Sequence, residues 1–166
     1  QPGYFANCLR FLTGHYAGVK VHCIVQRPST DAPYVYDNDI VLHYRDEVPS
    51  VADLVQSLNP QLIYVAGWSD SEYNAVAKRY VTRIPVIAGM DNPWRATVRQ
   101  ILASLVYGRR LRKCFNYLWV PGAPQYAFAS RLGYNHSQIL NGLYAADVSS
   151  LLALEPSDVA EKTVLF

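Results

Sequence analysis

The chain has 166 residues, of which 51% are hydrophobic and 17% charged, and its formal net charge is +2. This length and composition predict one domain with one sizeable core of ordinary α/β size. The charge is too small to indicate nucleic-acid binding by itself. No stretch approaches the roughly 18 apolar residues of a membrane-spanning helix, so we expect a soluble protein.

The cysteines argue against two common scaffolds. Cys8, Cys23 and Cys114 are scattered, odd in number and without CxxC spacing, which fits neither a disulfide framework nor a zinc site. We therefore expect reduced thiols and a cytoplasmic protein. The chain starts at Gln1 without an initiator methionine or a signal-like segment, so we expect Gln1 to be a cut end.

Helical patterns alternate with short apolar runs along the chain. We predict helices over residues 4–12, from an N-cap at Ser50 to residue 58, from after Asp70 to residue 83, over 94–107, and up to residue 132 before a C-cap at Gly133. Strands are expected over residues 19–25, 40–44, 62–66, 84–88 and 117–120, and an apolar pair at 139–140 precedes Gly142.

This alternation predicts an α/β fold: an open, mostly parallel, Rossmann-like sheet with helices on both faces. Residues 1–160 would form this domain. A doubly wound sheet starts with its central strand, whereas this pattern starts with a helix, so we expect the first strand to be missing. Residues 161–166 would begin a second domain or a linker strand. A further hypothesis lays residues 163–166 in the vacant central position, beside residues 19–25.

In open parallel sheets, ligands bind beyond the carboxyl ends of the strands. Asp91 could act there on a sugar hydroxyl, although an Asp before Asn-Pro is equally often a turn or capping residue. Trp68 and Trp94 could stack on a sugar ring, but packing beneath a loop is the commoner role. The histidines, at positions 15, 22, 43 and 136, lack metal-ligand spacing, and no metal is expected.

Basic residues interleave with apolar ones in one helical region. The basic residues are Arg95, Arg99, Arg109, Arg110, Arg112 and Lys113, and the apolar ones include Ile101, Leu102, Leu105, Val106 and Leu111. Such a helix could lie on an anionic membrane surface or bind phosphate-bearing acceptors. An ordinary amphipathic helix with a solvated basic face fits the pattern at least as well.

Several motifs follow one another in a characteristic order. They are Gly3-Tyr4-Phe5, Leu62-Ile63-Tyr64-Val65-Ala66-Gly67-Trp68, Ile84-Pro85-Val86-Ile87, Gly89-Met90-Asp91-Asn92, Trp119-Val120-Pro121-Gly122, Arg131-Leu132-Gly133, and Ile139-Leu140-Asn141-Gly142-Leu143-Tyr144 with Asp147 after it. Over residues 3–147 the sequence resembles the N-terminal, acceptor-side domain of family-4 retaining glycosyltransferases of GT-B architecture.

The resemblance implies transfer of a sugar from a nucleotide-diphosphate donor to a glycan or lipid-linked acceptor, with no essential metal and no cofactor. Gly3 and Tyr4 match the loop that approaches the donor phosphates. Where the family often has a sugar-contacting histidine, this chain has Met90, with Asp91 next to it. Asp91 is the expected catalytic residue. Acceptor or sugar contacts are expected from Trp68, Ser69, Asp70, Met90, Asn92, Trp94, Arg95 and Tyr144.

In the family, a second domain carries a pair of glutamates at a fixed spacing and basic groups for the diphosphate. Neither is found in this chain. We therefore expect a cytoplasmic fragment for polysaccharide synthesis that is inactive alone. Contact with the inner membrane face through residues 95–113 is a further hypothesis. A non-catalytic α/β module that binds a small ligand is the main alternative. A sugar-nucleotide epimerase domain is a further one.

Overall fold

A computed structural model describes residues 3–27 and 40–142 of the chain. Within them, helices and strands alternate in the order α1 (Gly3–His15), β1 (Val21–Val25), β2 (Ile40–Tyr44), α2 (Val51–Leu58), β3 (Ile63–Val65), α3 (Ser71–Tyr80), β4 (Val86–Gly89), α4 (Val98–Leu111), β5 (Tyr117–Val120), α5 (Ala123–Arg131), a 3₁₀ turn (His136–Gln138) and β6 (Ile139–Asn141).

Local capping sets several of these boundaries as the sequence predicts. The Ser50 side chain accepts a hydrogen bond from the backbone N–H of Asp53 at the start of α2, the usual N-cap contact. Asn59 ends that helix in the left-handed conformation, with φ 46°. Gly133 follows α5 with φ +88°, where the lack of a Cβ lets the chain leave the helix.

The helix predicted over residues 94–107 was wrong at both ends, because α4 spans Val98–Leu111. The Thr97 side chain caps it, accepting from the backbone N–H of Gln100 at 3.3 Å. Ala96 has φ 53°, which breaks any helical path from Trp94. Residues 90–97 therefore form a long loop after β4.

Every strand pair is parallel, which confirms the α/β class with parallel sheets. The single sheet that we predicted is divided, however, because the described strands form a two-stranded sheet, β1-β2, and a four-stranded sheet, β3-β4-β5-β6. Within the described residues, β1 hydrogen-bonds only to β2 and β3 only to β4. The hypothesis that residues 163–166 fill the gap beside β1 lies outside the described residues.

The main core lies against the larger sheet. Its fully buried side chains include Phe115, Leu118, Val86, Val120 and Met90, and α2, α3 and α5 contribute to the same cluster. A smaller cluster of Cys23, Val25 and Ile40, with Leu9 of α1, belongs to β1 and β2. Close packing makes the larger cluster the principal source of stability.

Contacts at the start of α3 connect the region of the smaller sheet to the region of the larger one. Glu72 pairs with the guanidinium of Arg45, which follows β2. The same carboxylate accepts a hydrogen bond from the backbone N–H of Val51 at 3.1 Å, at the first residue of α2. A cleft of about 2150 Å³ nevertheless remains between the two sheets, and residues of α1, β1 and β3 line it.

Candidate functional site

The carboxyl ends of β3, β4, β5 and β6 meet at one edge of the larger sheet, because all four strands run in the same direction. The loops beyond this edge are residues 66–70, 90–97 and 121–122, together with Gly142. They carry most of the site residues that the sequence predicts. This carboxyl edge is the candidate site, since ligands of open parallel sheets bind there.

The β3–α3 loop is organised around the start of its own helix. One oxygen of the Asp70 carboxylate accepts from the backbone N–H groups of Glu72 and Tyr73, at 2.8 and 3.1 Å. Asp70 is thus the N-cap of α3, and at most its second oxygen faces a ligand. Ser69 is exposed, whereas Trp68 is half-buried against the core. Sequence alone did not distinguish these roles.

A hydrogen bond to its backbone carbonyl group holds Trp68 in place. That carbonyl accepts from the Asn74 side-chain amide at 2.7 Å, which links the loop to the first turn of α3. Burial, and after it the Asp70 carboxylate, raise the pKa of the neighbouring Tyr73. Tyr73 is therefore a neutral hydrogen-bonding group near this loop at physiological pH.

The β4–α4 loop is fixed by α5. The Gln125 side chain donates to the carbonyl oxygen of Asp91 at 3.1 Å, and the backbone N–H of Trp94 donates to the carbonyl oxygen of Pro124 at 3.1 Å. Asp91 and Asn92 are exposed. An exposed carboxylate and an exposed amide therefore stand side by side on a loop that is anchored at its backbone.

The Trp94 side chain packs against α5 and does not extend into solvent as a free ring. Its ring lies 5.5 Å from the ring of Phe128, and the Arg131 guanidinium lies 4.6 Å from its centroid. The backbone N–H of Arg95 donates to the side-chain oxygen of Gln100 at 2.7 Å, and the Arg95 residue is exposed. Trp94 is thus only partly accessible to a ligand, whereas Arg95 is exposed.

Met90 does not face the site. Its residue is 1% exposed and belongs to the main core, and its backbone N–H donates to the carbonyl oxygen of Trp119 at 2.9 Å. The alternation of a strand carries its side chain inward at this position. The Met90 side chain is therefore not accessible to a ligand, whereas the next two residues, Asp91 and Asn92, are exposed.

Three aromatic rings that sequence reasoning did not select cross the sheet below this edge. Phe5 of α1 stacks on Tyr64 at 5.2 Å, and Tyr64 meets Trp119 edge-on at 5.9 Å. The phenol of Tyr64 lies so close to Gly89 that a Cβ added there would be 2.5 Å from its oxygen. Gly89, in the recognised Gly89-Met90-Asp91 motif, was the available signal for this close approach.

The remaining predicted residues lie at the ends of the described chain. Gly3 and Tyr4 open α1, and their neighbour Phe5 stacks on Tyr64 of β3, so the first turn of α1 lies over the larger sheet. Tyr144 lies outside the described residues. The structure thus brings α1, the β4–α4 loop and the start of α5 to one sheet, while the β3–α3 loop contacts mainly its own helix.

Outside this edge, one pair of titratable side chains stands out. A ring nitrogen of His22 on β1 lies 3.0 Å from one of His43 on β2. Burial, and after it electrostatic interactions with His43 and Lys20, lower the pKa of His22. Two imidazoles are too few for a metal centre, and within residues 3–27 and 40–142 no three His, Cys, Asp or Glu side chains form a metal-binding group.

Comparison of the chain with protein-family models, with curated proteins and with solved structures found no match.

Proposed function

We propose that this chain is the acceptor-side half of a retaining glycosyltransferase that uses a nucleotide-diphosphate sugar. The observation that carries the proposal is the carboxyl edge of β3, β4 and β5, where an exposed carboxylate and amide at Asp91 and Asn92 lie on a backbone-anchored loop. Half-buried Trp68 and Trp94 lie on neighbouring loops. Partly exposed aromatic side chains beside a few polar groups are a usual composition of a small-ligand site.

Asp91 has the chemistry for the acceptor. Its carboxylate can accept a hydrogen bond from a sugar hydroxyl and increase the nucleophilicity of that oxygen. Asn92 can both donate to and accept from a second hydroxyl, which orients the ring. Arg95, at the far end of the same loop, is an exposed cation suited to a phosphate on the acceptor.

The donor would be contacted from α1. This helix begins at Gly3, and the backbone N–H groups of a helix start carry partial positive charge that stabilises phosphate. A leaving diphosphate needs more positive charge than one helix end supplies. We therefore assign only part of the donor site to this chain and expect no turnover without a second domain.

Tryptophan fluorescence tests acceptor binding directly. All three tryptophans of the chain lie on or next to the carboxyl edge, so mono- and oligosaccharides that bind there should quench or shift their emission. Asp91→Asn removes a charge-assisted hydrogen bond and should weaken saccharide binding about tenfold. The matched control is Asp53→Asn, which neutralises an exposed carboxylate on α2 and should leave the affinity unchanged.

Two results would count against the proposal. The first is equal saccharide affinity for Asp91→Asn and the parent chain, or no response to any saccharide. The second concerns the donor site, which the proposal assigns mostly to another domain: release of nucleoside diphosphate from any sugar nucleotide by this chain alone would contradict that assignment.

A further inference from the structure

One face of α4 is apolar and uncovered. Val98, Leu102, Leu105 and Val106 are 73%, 60%, 70% and 71% exposed, and Ile101 is 46% exposed. Their spacing of three and four residues places them on one side of the helix. Large hydrophobic side chains scattered singly need no explanation, but a contiguous stripe of this size marks an interaction surface.

The same face ends in positive charge. Arg109 continues the stripe four residues after Leu105, and Arg110 lies beside it in the last turn. Both are exposed. Residues 92–142 carry seven basic side chains and no acidic one. The apolar stripe thus ends in two exposed arginines and lies in a stretch of the chain that has no acidic side chain.

The chemistry of this face selects its partner. Nucleic acid offers phosphates but no apolar depth for five aliphatic side chains. Pairing with a second α4 would cover the stripe, but the first turn of α4 has no acidic residue to meet the arginines. An anionic membrane offers both an apolar layer and negative headgroups at the required separation from each other.

We propose that α4 docks on an anionic membrane surface, with Val98, Leu102 and Leu105 inserted among the acyl chains and Arg109 and Arg110 at the headgroup phosphates. The helix has 14 residues, which suits a position in the interface rather than across the bilayer. Within the described part of the chain, no helix is long and apolar enough to cross a membrane. This docking does not depend on the proposed function.

Co-sedimentation with lipid vesicles tests the docking. The parent chain should sediment with phosphatidylglycerol–phosphatidylcholine vesicles and much less with phosphatidylcholine alone. Leu102→Gln with Leu105→Gln should reduce binding at least about tenfold. Arg109→Gln with Arg110→Gln should weaken it about fivefold for each arginine removed, and added salt should abolish that difference.

Matched control variants test whether binding depends on where these side chains lie or only on the overall charge and hydrophobicity of the chain. Arg79→Gln with Arg83→Gln removes the same charge from two exposed positions, one within α3 and one just after it. Phe11→Gln removes an equally exposed apolar side chain from α1. Both should bind like the parent. Because the substituted positions on α4 are exposed, the variants should unfold at the same thermal midpoint as the parent chain. That result would show that they are folded.

The proposal fails if the chain binds neutral and anionic vesicles equally, if it binds neither, or if the α4 variants bind as well as the parent. It also fails if light scattering shows a dimer that Leu102→Gln with Leu105→Gln converts to a monomer, since a second copy would then be the true partner of the stripe.

Discussion

The two sheets are built from similar strands but differ in how they are covered. The larger sheet has a continuous core in which Leu118, Val86 and Ala88 are 0% exposed. Among the described residues, the smaller sheet has a cluster of three buried side chains, with Leu9 of α1 and three side chains of its own strands packed against it, and one of its edges opens on the cleft. Strand sequence alone therefore does not determine stability. The number of elements that cover a strand does.

The largest expected effect compares truncations in the two cores. Leu118→Ala should lower the free energy of unfolding by about 3–5 kcal/mol, because its surroundings are fully packed and cannot collapse into the cavity. Ile40→Ala, in the smaller sheet, should cost about 2 kcal/mol, because neighbours beside the open cleft can relax. Urea denaturation measures both. Equal losses would show that the two regions are equally packed.

Tyr134 sharpens the comparison within the larger core. Its hydroxyl donates to the carbonyl oxygen of Phe115 at 3.2 Å in a buried position, so Tyr134→Phe should cost about 1–2 kcal/mol. Burial raises the pKa of the Tyr134 phenol above its ordinary value of 10.0.

A group whose pKa is higher in the folded state stabilises the fold below its unfolded pKa and loses this contribution as pH rises. The parent chain should therefore lose stability above pH 10 more steeply than Tyr134→Phe. Thermal midpoints between neutral pH and pH 11 or so would show this. Parallel pH profiles for the two proteins would contradict it.

Glu72 tests the connection between the regions. Its carboxylate holds Arg45 and the backbone N–H of Val51, so Glu72→Ala should destabilise the fold by about 1 kcal/mol. Amide exchange should quicken at Val51 and around Arg45, but not in β5. A uniform change across both sheets would mean that the connection is not local.

The smallest expected effect is a gain in the free energy of unfolding. Ala96 adopts a left-handed conformation, φ 53°, that costs a residue with a Cβ about 1 kcal/mol. Ala96→Gly should therefore raise the stability by roughly 0.5–1 kcal/mol. If the β4–α4 loop binds the acceptor, the added freedom should also weaken saccharide binding slightly. A loss of stability would show that the turn is not strained.

The fold class was predictable because it depends on local patterns. Apolar runs such as residues 62–66 and 84–88, each followed by a helical pattern, indicated parallel βαβ units, and caps such as Ser50 and Gly133 depend on neighbours in sequence. The carboxyl-edge loops followed from the same pattern. Asp91 and Asn92, which were selected on that expectation, are exposed beyond β4, and their role in binding stays a prediction.

Only the tertiary structure decided which loop residues face outward and which strands pair. Met90 is buried and Asp70 caps a helix, while Tyr64 and Trp119 form an aromatic contact across strands that lie far apart in sequence. The division into two sheets and the exposure of α4 have the same origin. Hydrogen bonds between strands, and the covering of an apolar face, depend on partners distant along the chain, and a local sequence pattern carries no record of them.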